Sequence, residues 1–196
     1  MLAGAKRMTA TVWAYFDGTT PRSAIAGSVA FIVVSNQPFY PFYLYLLLGG
    51  RAWPALLTWF SAPLFAAVPH VARSSEARGG ALLVTAGMAN TTLCTLAMGP
   101  ASGVELFYLP CIALALLLFT DRTRNLAVAA TLIAMVCAMG AVRLAGAEGL
   151  VLITADELTS LRRINAFSVC GLLAVMAYLS RRLWWRAASV TPTDGR

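Results

Sequence analysis

The sequence is divided into apolar blocks of about 17 to 25 residues, and this division limits the fold more than any other feature. A helix rises about 1.5 Å per residue, so each block is long enough to cross a hydrocarbon core of about 30 Å. The blocks lack the alternation that is typical of a transmembrane β-strand. Hydrophobic residues make up 59% of the chain and charged residues only 12%, whereas about a quarter are charged in soluble domains. The sequence therefore predicts an all-α, polytopic membrane protein embedded in the lipid bilayer.

Six apolar blocks predict a bundle of six transmembrane helices. The predicted spans are residues 23–48, 53–68, 80–98, 104–120, 126–144 and 165–183. Residues 23–186 then form the membrane domain, between a cytoplasmic segment of residues 1–22 and a short cytoplasmic tail of residues 187–196. The first segment fits either an interfacial amphipathic helix or a frayed basic tail. We expect no signal peptide, because the first long apolar run begins late and is too long for one.

The distribution of basic residues predicts the orientation of the bundle. With six spans, most of the 15 Lys and Arg residues fall on the side of both termini, namely Lys6, Arg7, Arg22, Arg73, Arg78, Arg122, Arg124, Arg181, Arg182, Arg186 and Arg196. The positive-inside rule therefore predicts that both termini are cytoplasmic. Because these arginines are topology signals, the net charge of +7 does not indicate a nucleic-acid partner.

Residues within and after the spans carry signals for bending, packing and anchoring. Prolines remove backbone donors and predict helix bends at Pro38, Pro41 and Pro110. Small residues on one stripe of the fifth span predict a close helix contact, sufficient for a homodimer, at Ala130, Ala134 and Ala138. Basic and aromatic residues after the sixth span predict an interfacial anchor at Arg181, Arg182, Trp184, Trp185 and Arg186.

No set of residues in the sequence predicts catalysis. Ser102 lacks a later histidine as its general base, and His70 at the end of the second span is expected to be interfacial. Asp121 has no second aspartate nearby that would help to hold a divalent metal ion. The cysteines fall in separate apolar blocks, at Cys94, Cys111, Cys137 and Cys170. This spacing argues against a disulfide or a metal site, so we expect no enzyme, no metal and no cofactor.

One stretch, GPASGVELFYLP at residues 99–110, combines glycine, charge and aromatic rings. It begins with residues that predict an outward-facing turn, Gly99, Ser102 and Gly103. The third span ends where the fourth begins, so we expect a ligand pocket in the outer half of the bundle. Its predicted lining residues are Glu105, Tyr108, Asn90, Thr95 and Phe107. Interhelical hydrogen bonding remains open for Asn90, as does stabilisation of a helix N-terminus for Glu105.

Residues 96–110, taken with six spans and two cytoplasmic ends, resemble a bacterial six-helix membrane domain. That domain is the N-terminal input half of some class III adenylate cyclases and sensor histidine kinases, including autoinducer-sensing kinases. The residues that match its pattern are Gly99, Ser102, Gly103, Glu105, Phe107, Tyr108, Pro110, Asp121, Arg122 and Asn165. The resemblance implies a dimeric signal-input module whose sixth helix continues into a cyclase or kinase domain. The sequence departs from this pattern after Pro192, where a short polar tail follows, so we expect either a truncated membrane domain or a stand-alone relic of one.

Three functional hypotheses follow from these features. The first is a receptor-like domain that binds an apolar or amphipathic ligand, or a partner membrane protein, in the outer half of the bundle. The second is a small transporter, because transporters place broken helices around a midplane site and the first span is interrupted at Asn36-Gln37-Pro38. The third is a structural anchor that dimerises and localises an output domain.

Overall fold

The computed structural model describes residues 14–16, 18–146 and 148–190. The α-helices are α1 (Pro21–Asn36), α2 (Phe39–Leu48), α3 (Ala62–Ser74), α4 (Glu76–Met98), α5 (Tyr108–Leu118), α6 (Asp121–Leu144) and α7 (Ala155–Val190). The 3-10 helices are Gly49–Ser61, Pro100–Ser102 and Val104–Phe107. These ranges contain no β-strand, which confirms the all-α prediction. Most of the predicted amphipathic segment, the tail after Val190 and the side chain of Arg186 lie outside the described residues.

The helical stretch Pro21–Ser74 folds back on itself as a hairpin. The chain reverses at Gly49, whose φ of 59° is in the left-handed region that favours glycine. On the two sides of this turn, α1 packs against α3 and α2 packs against the following 3-10 helix. The Trp59 indole donates to the Gln37 carbonyl at 3.1 Å, which sets the two arms in register. The first two predicted spans correspond to the two arms of this hairpin.

The local sequence explains where α1 begins and ends. Thr20 and Ser23 form a capping box: Ser23 N donates to Thr20 Oγ1 at 3.3 Å, and Thr20 N donates to Ser23 Oγ at 3.0 Å. Pro21 occupies the first helical position, where no amide donor is required. The helix ends at Asn36 because Pro38, in the turn that follows, has no amide hydrogen to continue it.

The prolines of the predicted bends occupy two kinds of position. Pro38 lies in the turn between α1 and α2. Pro41 is the third residue of α2, and Pro110 is the third residue of α5. Amides in the first turn of a helix have no acceptor within that helix, so both prolines are accommodated without interrupting a hydrogen bond. The break in the first arm of the hairpin therefore lies at Pro38.

Helix α4 occupies the centre of the bundle. It begins after Ser75, whose Oγ accepts a hydrogen bond from Arg78 N at 3.4 Å. It packs against α1, α3, α5, α6 and the 3-10 helix Gly49–Ser61. A Cβ atom at Gly87 would lie 2.8 Å from Cys111 Sγ, so glycine permits the close approach of α5. One large buried cluster joins α4 to its neighbours and includes Ile25, Val68, Leu83, Tyr108 and Met176.

Four helical stretches of the described chain are long and apolar enough to cross a membrane: Pro21–Ser74, Glu76–Met98, Asp121–Leu144 and Ala155–Arg182. The apolar helix Val104–Leu118 is shorter. Helix α6 is the least buried of the long helices, with 11% of its most apolar window inside the protein. The count of six spans remains a prediction, because length and composition identify four stretches and the first of these is a hairpin.

Candidate ligand-binding cavity

A cavity of about 330 Å³ lies inside the bundle. Most of its wall is apolar, with lining residues that include Val29, Ile32, Val33, Phe65, Leu83, Val104, Leu114, Leu172 and Val175. Polar residues line it near the break between α1 and α2, namely Asn36, Gln37, Tyr40, Thr58 and Asn90. The cavity is therefore an apolar chamber with a polar end. We call the side chains of Gln37, Tyr40, Thr58 and Asn90, together with Ser61 behind them, the polar cluster.

The amide of Gln37 is buried, with 5% of the residue exposed, and it is held in one orientation. Its Nε2 donates to the Thr58 carbonyl oxygen at 3.0 Å and to Ser61 Oγ at 2.6 Å. A carbonyl oxygen only accepts hydrogen bonds, so the amide atom that faces Thr58 is the nitrogen. Gln37 Oε1 is consequently left buried, without a hydrogen-bond partner among the described residues.

Asn90 joins the polar cluster from α4. Ser61 Oγ donates to Asn90 Oδ1 at 2.9 Å, and Thr58 Oγ1 donates to the same oxygen at 3.3 Å. These bonds connect α4 to the second arm of the hairpin, which is the interhelical role left open by the sequence. Asn90 also lines the cavity, so one side chain serves both as a helix contact and as part of the wall.

The Tyr40 hydroxyl is buried beside the Asn165 side chain, and the two form a hydrogen-bonding contact of poor geometry. Asn165 is fully buried on α7, and its Nδ2 donates to the Ser102 carbonyl at 3.0 Å. A buried polar group without a partner costs about 1–3 kcal/mol. Gln37 lines the cavity and carries a buried oxygen without a partner among the described residues, so it is a candidate for contact with a ligand.

The turn between α4 and α5 is closely packed against the segment that leads into α7. Gly99 has a φ of 83°, and a Cβ atom there would lie 2.7 Å from the Glu148 carbonyl oxygen. Gly103 has a φ of 80°, and its Cβ would lie 3.0 Å from Arg162 Cα. Ser102 is fully buried, and its Oγ donates to the Gly99 carbonyl at 2.6 Å. The glycines and the serine thus form a tight support for the start of α7.

The structure places the residues predicted to bind ligand in two different environments. Asn90 and Phe107 line the cavity. Glu105, Tyr108 and Thr95 are not among its lining residues. The sequence placed all of them at the junction of the third and fourth spans, but they face different sides of that junction.

The residues away from the cavity wall are held mainly by neighbouring groups of the protein. Tyr108 OH lies 2.9 Å from Thr92 Oγ1, in hydrogen-bonding contact. Thr95 Oγ1 donates to the carbonyl of Thr91 at 2.7 Å. Glu105 is half-buried, and its Oε2 has no partner in the described part of the chain. The hydroxyls of Tyr108 and Thr95 are thus engaged in bonds within the bundle.

The predicted packing stripe on α6 lies mostly on the surface of the chain. Ala130 and Ala134 are exposed, whereas Ala138 is half-buried and packs against the large apolar cluster. Two of the three predicted contact residues therefore lie on a surface that the described part of the chain does not cover.

The predicted anchor lies at the opposite end of α7 from the turn at Gly99. Arg181, Arg182, Trp184 and Trp185 are exposed. The guanidinium of Arg22, at the start of α1, lies over the Trp184 ring at 5.4 Å. This cation–π contact joins the ends of α1 and α7.

Sequence reasoning did not assign Gln37, Tyr40, Thr58 or Ser61 to the ligand site. In the sequence, Gln37 stands out only as part of an interrupted helix, and Thr58 and Ser61 belong to a predicted apolar span. The sequence did contain a signal for this site, namely polar side chains within predicted spans. Such side chains are costly at membrane depth and are often functional. Thr58 and Ser61 are spaced i, i+3, which places them on one helical face.

No charged side chain lines the cavity as far as the described residues define it. Within the same residues, no group of three or more His, Cys, Asp or Glu side chains is placed to hold a metal ion. The chemistry available at the wall is thus hydrogen bonding by amides and hydroxyls, together with apolar contact.

A family model, MASE7, a membrane-associated sensor domain, matches residues 14–191. The match covers most of the chain and confirms the resemblance to a membrane input domain. Neither a curated protein nor a solved structure matches the chain.

Proposed function

Because the chain belongs to the MASE7 family of membrane-associated sensor domains, we propose that it binds a ligand in the cavity and regulates a cyclase or kinase output. One observation carries the proposal: α7 contributes Ser168, Gly171, Leu172 and Val175 to the cavity wall. Helix α7 is 36 residues long and continues from the cavity to residue 190. A ligand that prefers one position of α7 relative to α1 would shift the populations of two bundle states.

The contacts between loops support a six-span arrangement with both termini on the cytoplasmic side. At one end of the bundle, Arg51 pairs with Glu157, and Gly99 lies against Glu148. At the other end, Thr20 bonds to Glu76 and Arg22 lies over Trp184. Each group joins loops that six antiparallel crossings would bring to the same side of the membrane. With the basic loops inside, the first end faces outward.

We also propose that the domain is a homodimer in the bacterial inner membrane. The exposed alanines of α6, Ala130 and Ala134, support this arrangement, because small residues let two helix backbones approach closely. The resemblance to dimeric input modules of cyclases and kinases leads to the same expectation. The family is a sensor domain and not a catalytic one, so the chemistry of the output would reside in another domain.

The proposal is tested by fusing the full chain to a class III adenylate cyclase catalytic domain and measuring cyclic AMP production in membranes. Gly171→Leu places a side chain at the cavity, whereas Gly140→Leu places the same side chain on α6; neither Cβ meets an atom within 4 Å. We expect Gly171→Leu to change the basal output by about threefold, equivalent to about 0.7 kcal/mol of bias between states. Gly140→Leu is expected to leave the output unchanged. Equal outputs from both variants and the parent would contradict the receptor function.

One observation favours a transporter as the second candidate. The break between α1 and α2 lines the cavity through Asn36 and Gln37, as do the discontinuous helices of transporters. Uptake of solute by proteoliposomes that contain this chain alone would support transport. The absence of uptake, together with a cyclase output that responds to cavity variants, would support the receptor.

A further inference from the structure

We propose that α7, near the end of its membrane span, binds the phosphate of an anionic glycerophospholipid between the guanidinium groups of Arg181 and Arg182. This inference goes beyond the proposed function, because it concerns the outer surface of α7 and not the cavity. Three features of that surface carry it: four residues share one face of the helix, this face points away from the bundle, and neither arginine has an acidic partner among the described residues.

Four residues of α7 line a shallow depression on its surface, namely Tyr178, Arg181, Arg182 and Trp185. Their spacing of i, i+3, i+4 and i+7 places them on one side of the helix. Tyr178 and Trp185 are about 10 Å apart along the helix axis, and the two arginines lie between them. The depression thus combines two cations with an aromatic ring at each end.

This face of α7 points away from the bundle. All four residues of the depression are exposed. Met176 and Ser180 are the buried residues of the same turns. Each residue advances about 100° around the helix, so Met176 and Ser180 lie on the side opposite the depression. In a membrane, the face that carries the arginines is therefore directed toward the surrounding lipid.

The arginines lie at the depth of the lipid headgroups. The part of α7 that is long and apolar enough to cross a membrane ends at Arg182. The headgroup region begins where the hydrocarbon ends and is about 5–7 Å thick on each side. Tyr178 then lies toward the acyl chains and Trp185 toward the water, at the level where such rings are enriched. A phosphate of the lipid would lie next to the two guanidinium groups.

No acidic side chain in the part of the chain that the structure describes neutralises these arginines. The ion pairs formed within that part are Arg51–Glu157 and Arg124–Asp121. Glu76 accepts a hydrogen bond from Thr20. Asp156 is in the first turn of α7, about 37 Å from Arg181 along the helix axis. A counter-charge for Arg181 and Arg182 thus has to come from a bound partner.

A second copy of the chain fits this face less well than a lipid does. A twofold dimer would bring the same patch of each subunit together, so that arginine would face arginine. Phosphate has the opposite charge, and the planar fork of each guanidinium group matches its oxygen atoms. The acyl chains of the same lipid would lie beside Tyr178. The charge and the depth of the patch both correspond to the headgroup of an anionic lipid.

The site is tested by native mass spectrometry of the full chain, purified in detergent and titrated with dioleoylphosphatidylglycerol or with dioleoylphosphatidylcholine. The two lipids have the same acyl chains, so the ratio of their dissociation constants reports the effect of the headgroup. We expect phosphatidylglycerol to bind about tenfold more tightly, because choline opposes the charge of the arginines. A preference of less than about twofold would overturn the inference.

The position of the site is tested by removing two arginines at a time. Arg181→Gln/Arg182→Gln is expected to lower the preference for phosphatidylglycerol to less than about twofold. The matched control is Arg162→Gln/Arg163→Gln, since these are also consecutive, exposed arginines of α7 and lie near its other end. The control should keep the full preference. Equal losses in the two double variants would show that the preference reflects net charge, and would overturn the site.

Single variants keep the test decisive if the double variant does not fold. Arg181→Gln and Arg182→Gln are each expected to lower the preference about threefold, because each removes one of the two charges. An unchanged preference in both single variants would overturn the inference.

A water-soluble phosphate distinguishes a lipid from a free anion. A large molar excess of sn-glycerol 3-phosphate is expected to leave the binding of phosphatidylglycerol unchanged, because it lacks the acyl chains that hold a headgroup at this depth. Displacement of the lipid by this competitor would overturn the choice of a lipid as the occupant.

Discussion

Two regions of the bundle place polar side chains among apolar helices, and they differ in whether their hydrogen bonds are complete. Between α4 and α5, Tyr108 OH is paired with Thr92, and no partner from outside the chain is needed. At the break between α1 and α2, Gln37 lines a cavity, and its buried Oε1 has no partner in the described chain. A completed bond holds helices together, whereas an incomplete one next to a cavity indicates a place for a ligand.

The turn at Gly99 belongs to the completed part of the structure and gives the largest expected effect on stability. Gly99→Ala adds a Cβ atom 2.7 Å from the Glu148 carbonyl at a φ of 83°, so strain and overlap act together. We expect the free energy of unfolding, measured by SDS titration in mixed micelles, to fall by about 3 kcal/mol.

Gly146→Ala is the matched control for that change. Gly146 has a φ of 60° but would bring its Cβ within 4 Å of nothing, so it isolates the backbone strain. Its expected cost is about 1 kcal/mol. Equal losses in the two variants would show that the turn at Gly99 is not closely packed against the loop before α7.

A smaller loss is expected where the polar cluster holds the hairpin against α4. Ser61→Ala removes the hydroxyl that accepts from Gln37 Nε2 and donates to Asn90 Oδ1. The free energy of unfolding should fall by about 1–2 kcal/mol. Ser35→Ala is the control, since Ser35 is exposed and bonds within its own helix, and it should change stability by less than about 0.5 kcal/mol. No difference between the two would mean that the cluster does not stabilise the hairpin.

The smallest effect on the free energy of unfolding is expected at the ion pair between Arg51 and Glu157. Arg51 donates through two nitrogens to the carboxylate of Glu157, at 2.5 and 3.1 Å, but the Arg51 side chain is 45% exposed. Glu157→Gln keeps an acceptor for Thr154 N and removes the charge, so we expect only a small loss of stability, close to that of the control. Asp156→Asn is the control without an ion pair to Arg51. A loss of stability well above that of the control would mean that the Arg51–Glu157 pair contributes more than an exposed ion pair does.

The sequence predicts the helices of this fold but not its cavity. Apolar blocks and the proline at residue 38 were sufficient to predict helices and an interrupted first span, because these depend on local composition. The cavity depends on residues from separate segments, since Gln37, Thr58 and Asn90 meet only after the hairpin forms. A hydroxyl such as that of Tyr108 has the same appearance in the sequence whether or not a neighbour pairs with it.

The most direct test of this account replaces the two tyrosines separately by phenylalanine and measures the output of the fused cyclase and the free energy of unfolding. Tyr40→Phe, at the cavity wall, should change the cyclase output by about threefold. Tyr108→Phe should lower the free energy of unfolding by about 0.6 kcal/mol and leave the cyclase output unchanged. The reverse pattern, with the output changed in Tyr108→Phe and unchanged in Tyr40→Phe, would contradict the assignment of the input site to the cavity at the α1–α2 break.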